Sequence, residues 1–187
     1  MQKVKVLMLG PCESGKTVLS NFFAEATETS GGDYHPTQGV RILEFEATAN
    51  AGNKAVPMEV ELWDCSGDKK FEACWPAIAR DSVGAVFVYN PDQASHGRQL
   101  DMWYSYFVEQ QGLRDFQCCV LAHQKPNTPD HEAAEIPPSL SKVPVIHTNI
   151  EEDAEAVQKE FSKYLGKLVS AMSDRQEQEE LSIMSSH

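Results

Sequence analysis

A chain of 187 residues with 41% apolar side chains fits one domain with a real core. Its 28 Asp and Glu against 16 Lys and Arg leave a net charge of −12, which argues against nucleic acid and against polybasic docking on an anionic membrane, since both rest on basic side chains. The five cysteines, at 12, 65, 74, 118 and 119, are odd in number and contain no CxxC pair, so they read as reduced thiols of a cytosolic protein, without disulfide or metal roles.

The opening stretch MQKVKVLMLG reads as a buried strand from Val4 to Leu9. Its apolar run is too short for a secretory leader, and Gln2 rules out myristoylation. A helix is expected from Lys16 to Ala24. Val40 to Ala47 and Met58 to Trp63 alternate in polarity, and between them Asn50-Ala51-Gly52-Asn53 suits the turn of a hairpin. Ala85 to Tyr89 and Cys118 to Ala122 are continuous apolar runs, the signature of central parallel strands. Between those runs Leu100, Trp103, Tyr104 and Phe107 lie on one face of an amphipathic helix, with Ser95 as its expected cap. Gln124 to Lys142 carries Pro126, Pro129, Pro137 and Pro138 and should be irregular. Val143 to Ile146 reads as a last short strand. A closing helix starts at the acidic Glu151, Glu152 and Asp153 and buries Val157, Phe161, Leu165, Leu168 and Met172. Residues 173–187 are polar and are expected to fray. No apolar run reaches the length of a membrane span, and Ser185-Ser186-His187 offers no prenylation cysteine. The alternation of strands and helices predicts an α/β protein with a mainly parallel sheet.

Gly10-Pro-Cys-Glu-Ser-Gly15-Lys16-Thr17 fits G-x-x-x-x-G-K-[ST] between a strand and a helix. Such a loop turns backbone N–H groups onto phosphate oxygens, so Gly10, Glu13, Ser14, Gly15, Lys16 and Thr17 are the candidate phosphate residues. Lys16 would bridge the β- and γ-phosphates, and the Thr17 hydroxyl would hold Mg²⁺. The helix N-terminus adds partial positive charge. Trp63-Asp64-Cys65-Ser66-Gly67 closes the Met58 strand. Asp64 there can hold the metal through a water, and Gly67 can offer its N–H to a γ-phosphate. Thr37, in the loop Tyr34 to Gly39, can complete the metal's coordination while a γ-phosphate is present.

On these residues the chain resembles the Ras superfamily of small GTPases, and within it the Rab-like subunits of intraflagellar transport complex B. The stretches GPCESGKT, YHPTQGVRILEF, ELWDCSGDKKFEACWPAI and EELSIM carry the resemblance, which covers about residues 1–172. It implies a Ras-like P-loop fold: a six-stranded, mostly parallel sheet with one antiparallel strand and helices on both faces, over residues 1–172, with 173–187 as a polar tail. It also implies GTP or GDP with Mg²⁺, coiled-coil partner subunits of the same complex, and residence at the cilium or flagellum and its base, without a direct membrane anchor.

The departures from the superfamily pattern fall at the base and at the reacting water. The guanine-reading Asn-Lys-x-Asp is His123-Gln124-Lys125-Pro126 here, so the carboxylate that accepts from guanine N1 and N2 is a proline. His123 is left either packing against the base or closing a strand, with Gln124 and Lys125 beside it. The Ser-Ala-Lys motif is replaced by Thr148-Asn149-Ile150. Asp68 stands where a Gln orients water, and Cys12 stands where efficient hydrolysers keep Gly. Both changes predict slow hydrolysis at most, with no catalytic residue assigned beyond the Asp68 position. Two readings compete with a nucleotide-loaded subunit: a P-loop small-molecule kinase, and a pseudo-GTPase that binds no nucleotide. The arginines are too scattered for a kinase lid, and the intact Lys16, Thr17, Thr37 and Asp64 weigh against the second. After Gly67, Phe71, Trp75 and Ile78 share one helical face. Trp75, ahead of Pro76, is the expected exposed anchor for a partner.

Overall fold

The structure is a computed structural model that describes residues 1–24, 39–124 and 134–186. Strand β1 (Gln2–Leu9) runs into a turn at Gly10 to Gly15 and then helix α1 (Lys16–Phe23). Strands β2 (Val40–Ala51) and β3 (Lys54–Cys65) form a hairpin longer at its tip than the alternation predicts, because Ala51 and Lys54 still pair across Gly52-Asn53. A 3-10 segment (Lys69–Cys74), helix α2 (Trp75–Ala79), strand β4 (Gly84–Tyr89) and helix α3 (Ala94–Tyr104) follow. The last elements are β5 (Cys118–His123), β6 (Val145–Thr148) and α4 (Ile150–Ser185).

The six strands lie in the order β2-β3-β1-β4-β5-β6. Only β2 runs antiparallel to its neighbour; the β1–β3, β1–β4, β4–β5 and β5–β6 ladders are parallel. Alternate residues of β1 divide the core. Val4, Val6 and Met8 pack with Leu19 and Phe23 of α1 and Phe161, Leu165 and Leu168 of α4. Leu7 and Leu9 pack with Ile78 of α2 and Leu100, Trp103 and Phe107 on the other side. The expected sheet, with helices on both faces, is therefore present.

Four local expectations change. Helix α3 starts at Ala94, capped by the Gln93 backbone without a side-chain bond, so Ser95 lies inside the first turn and is not the cap. Nearby, the buried His96 Nδ1 accepts the Asn90 N–H at 3.1 Å and ties the helix start to the end of β4. The last strand is shifted two residues, to Val145–Thr148, because the Val143 N–H is held in a turn by the Leu140 carbonyl.

Trp75 is not an exposed anchor. It is 6% exposed and its ring lies 5.1 Å from those of both Tyr106 and Phe107. The chain after Gly67 folds this side chain onto the face that α3 covers, where a large aromatic removes most apolar surface from water.

The fourth concerns the polar end. Helix α4 continues to Ser185, although its packing on the sheet ends at Met172. Residues 174–183 contain no Gly or Pro and are rich in Glu and Gln, both good helix formers, and Arg175 bonds Glu179 at 3.1 Å. The helix opens on Asn149, whose side chain accepts from the Glu151 and Glu152 N–H groups.

The cysteines are all free. Cys65, Cys118 and Cys119 are buried, and burial pushes the Cys118 thiol up to about 12, so it stays protonated and inert. No helix among the described residues is long and apolar enough to cross a membrane.

Candidate functional site

The predicted phosphate residues converge at the C-terminal end of β1, where parallel sheets of this kind take their ligands. The loop bends through Glu13, at φ 62°, and Gly15, at φ 100°. Gly15 is demanded twice over. Its φ suits only glycine, and a Cβ there would lie 2.6 Å from His123 Cδ2. Lys16, 6% exposed, folds back so that Nζ donates to the carbonyls of Gly10 and Pro11, each at 2.7 Å. The ammonium is thus held at the mouth of the loop. Ser14 is fully buried, and its Oγ has no hydrogen-bond partner among the described residues. A buried hydroxyl without a partner is costly; a phosphate oxygen in this loop would relieve it. The residues present therefore fit a phosphate chain.

Asp64 lies at the end of β3 with no exposed surface. Its Oδ2 accepts the Thr17 hydroxyl at 2.8 Å and lies 3.6 Å from Arg41 Nη2. The same guanidinium donates to Asn21 Oδ1 on α1. A hydroxyl and a carboxylate side by side next to a phosphate cradle are donors that suit a hard cation such as Mg²⁺. Thr37, the third predicted metal residue, lies outside the described residues, as does Lys125.

Gly67 packs directly on the phosphate loop. A Cβ there would fall 2.4 Å from the Cys12 nitrogen. The preceding Ser66 N–H donates to the Gly39 carbonyl at 2.8 Å, so the loops on either side of the hairpin meet here. Asp68, at the position of the water-orienting Gln, is engaged elsewhere. Its carboxylate accepts the Lys70 N–H at 3.0 Å, capping the 3-10 segment, and lies 3.8 Å from Lys70 Nζ. Cys12 is exposed on the loop.

At the base side, His123 is 5% exposed, and its Nδ1 lies 3.0 Å from Thr148 Oγ1. The ring therefore ties the phosphate loop, through Gly15, to the end of β6. Gln124 is exposed, and its N–H donates to the Thr148 carbonyl at 3.1 Å. A cleft of 530 Å³ is lined by Gln124, Thr148 and Asn149, and also by Glu152, Asp153 and Glu160.

Arg41 and Asn21 were not singled out from the sequence. The signal was there: Arg41 and Asp64 are equidistant from the Gly52-Asn53 turn, so a regular hairpin pairs them, as β2 and β3 do. The link from Arg41 to Asn21 crosses between elements and has no such sequence mark.

Residues 5–125 match the family described as Ras of Complex, Roc, domain of DAPkinase. The intraflagellar transport protein 22 homolog of Danio rerio is 52% identical over 98% of this chain and 100% of its own length. The Homo sapiens homolog is 48% identical over the same shares. The Trypanosoma brucei IFT22/74/81 GTP-bound crystal structure superposes with a TM-score of 0.64 at 26% identity, covering 91% of this chain and 99% of that one. The six-stranded sheet with its single antiparallel edge, the phosphate loop and these relatives agree: the chain belongs to the intraflagellar transport protein 22 family of Ras-like GTPase domains.

Proposed function

We propose that the chain is a guanine-nucleotide-binding subunit of the intraflagellar transport machinery, working in complex B at the cilium or flagellum. GTP or GDP would lie with its phosphates in Gly10 to Thr17 and Gly67. Mg²⁺ would be held by Thr17 and Thr37 directly and by Asp64 through water, and would neutralise phosphate charge. The observation that carries the reading is the loop itself: a fully buried Ser14 Oγ without a partner among the described residues, beside an ammonium held at the loop mouth by Gly10 and Pro11. The GTP-bound trypanosome relative, described together with IFT74 and IFT81, supports the same ligand and an assembly with other transport subunits.

Hydrolysis in this reading is slow. Asp68 is occupied as a cap, and Cys12 puts a side chain at the loop where the transition state needs room. Base recognition falls to His123, Gln124 and Lys125 without the usual carboxylate, His123 contributing by bracing Gly15 and Thr148. The nucleotide then serves as a structural ligand that orders the loops around Thr37 and Gly67 for docking on coiled-coil partner subunits.

The test is nucleotide content after gentle purification, followed by titration with GTP, GDP and ATP. Protein that carries no nucleotide and binds none at millimolar concentration would sink the reading in favour of a nucleotide-free scaffold.

A further inference from the structure

We propose that Arg41 is the chain's own stand-in for the metal ion at Asp64, and that the two compete for that carboxylate. The inference rests on the nucleotide reading above and adds a residue that sets how much Mg²⁺ the loaded state requires.

Asp64 has no exposed surface, and a buried carboxylate without a nearby positive charge is strongly unfavourable. Arg41 Nη2, 3.6 Å from Oδ2, supplies that charge from within the fold. The residue is placed by register, since Arg41 pairs with Asp64 across the hairpin, and by a tether, since its guanidinium also donates to Asn21 on α1. Thr17, which also donates to Oδ2, sits one turn before Asn21 on the same helix. The guanidinium therefore adjoins the Thr17–Asp64 pair where a divalent cation would be held.

Two cations cannot share that carboxylate without repelling one another across a buried, weakly screened gap. Arg41 has a way out: its side chain is 35% exposed, so it can leave toward solvent along its own stem. In the nucleotide-free state Arg41 holds Asp64. On loading, Asp64 would turn to Mg²⁺ through its water and Arg41 would give way, so part of the metal's binding energy would go into displacing the guanidinium.

The experiment uses the full chain as wild type, Arg41→Gln and Asn21→Ala, loaded with a fluorescent GDP analogue while Mg²⁺ is varied from micromolar to millimolar. Arg41→Gln keeps a hydrogen-bonding side chain but removes the charge. The Mg²⁺ midpoint for nucleotide retention is expected to fall about tenfold in Arg41→Gln, since one full charge next to the site is lost. It should fall about threefold in Asn21→Ala, which loosens the tether and leaves the charge. Thermal melting supplies a second readout. Arg41→Gln should lower the melting temperature of the nucleotide-free, metal-free protein and leave the Mg²⁺-saturated, loaded protein as it was. Midpoints that rise or stay put, or an equal loss of melting temperature in both states, overturn the competition and leave Arg41 as a plain structural ion pair. Weaker retention at saturating Mg²⁺ in Arg41→Gln would place the guanidinium on the phosphates, which also overturns it. Wild type that retains no nucleotide at any Mg²⁺ concentration sinks the nucleotide reading and this inference with it, whereas retention with unmoved midpoints sinks this inference alone.

Discussion

At the end proposed to take the phosphates, between β1 and α1, stand a Lys16 ammonium on two loop carbonyls, a buried Ser14 Oγ with no partner among the described residues, and Thr17 against Asp64. At the base end, between β5 and β6, the described residues bond to the protein. His123 turns Nδ1 to Thr148, and the Gln124 N–H is taken by the Thr148 carbonyl. One end is built to receive charge; the other is built to hold the loops together. The difference teaches that affinity in this chain should come from phosphate and metal, with weak selection among bases. The substitution that cuts deepest into that contrast is Lys16→Ala. It should weaken GTP and GDP by about a hundredfold or more, since a charge-assisted bond is lost, and lower the melting temperature of the loaded protein. A titration showing unchanged affinity would erase the contrast altogether.

The contact where the two ends meet is Gly15 against His123. Gly15→Ala forces a Cβ to 2.6 Å from the ring at a φ of 100°. The loop must shift, costing about 1–3 kcal/mol of stability and about tenfold in nucleotide affinity. In a His123→Ala background the clash is gone and only the strain of φ remains, so the same substitution should cost about 1 kcal/mol less. A double-mutant cycle by chemical denaturation checks this. Additive costs would mean that the ring does not brace the loop.

The strand–loop–helix frame of the proposed phosphate site was legible because its spacing is local: the motif from Gly10 to Thr17 joins β1 to α1. The strands were legible where both faces are buried, as at Ala85 to Tyr89 and Cys118 to Ala122. What escaped depends on neighbours distant in sequence. Trp75 reads as an exposed anchor in isolation, yet Tyr106 and Phe107, from beyond α3, cover it. His123 reads as a replaced base residue, while its partner Thr148 lies 25 positions away. The polar stretch after Met172 has no apolar stripe to mark it as helical, and intrinsic propensity with local bonds such as Arg175–Glu179 carries it. Asp68 looks like a misplaced catalytic group until the 3-10 segment that it caps is known.

A finer test of the base end uses inosine triphosphate, which lacks the exocyclic N2 amino group of GTP. Where a carboxylate accepts from that group, its loss costs about tenfold or more. Here Pro126 replaces the carboxylate, so inosine triphosphate should bind within about threefold of GTP, the scale of a single weak hydrogen bond. Competition against a fluorescent GDP analogue measures the ratio. A tenfold preference for GTP would mean that another acidic group reads the base, and the comparison between the two ends would have to be redrawn.

The smallest expected effect lies at Asp68, which follows β3 on the side of β1 away from the base end. Its carboxylate accepts the Lys70 N–H at 3.0 Å and faces Lys70 Nζ, so it caps the 3-10 segment, and it carries a negative charge one residue after Gly67, which packs on the phosphate loop. Asn and Gln at this position separate cap from charge. Asp68→Asn removes the charge and keeps a good cap; Asp68→Gln removes both, because the longer side chain caps poorly. Stability should therefore hold in Asp68→Asn and fall by about 1 kcal/mol in Asp68→Gln. Single-turnover hydrolysis should rise only a few-fold in Asp68→Gln, staying far below the ~1 per second of assisted systems, because Cys12 still crowds the loop. If Asp68→Asn speeds hydrolysis as much as Asp68→Gln does, charge repulsion alone is the brake. If only Asp68→Gln does, the side chain must first leave its cap to reach the water. A rate near 1 per second in the wild type would refute slow hydrolysis outright, and with it the assignment of Asp68 to a structural place in the loop.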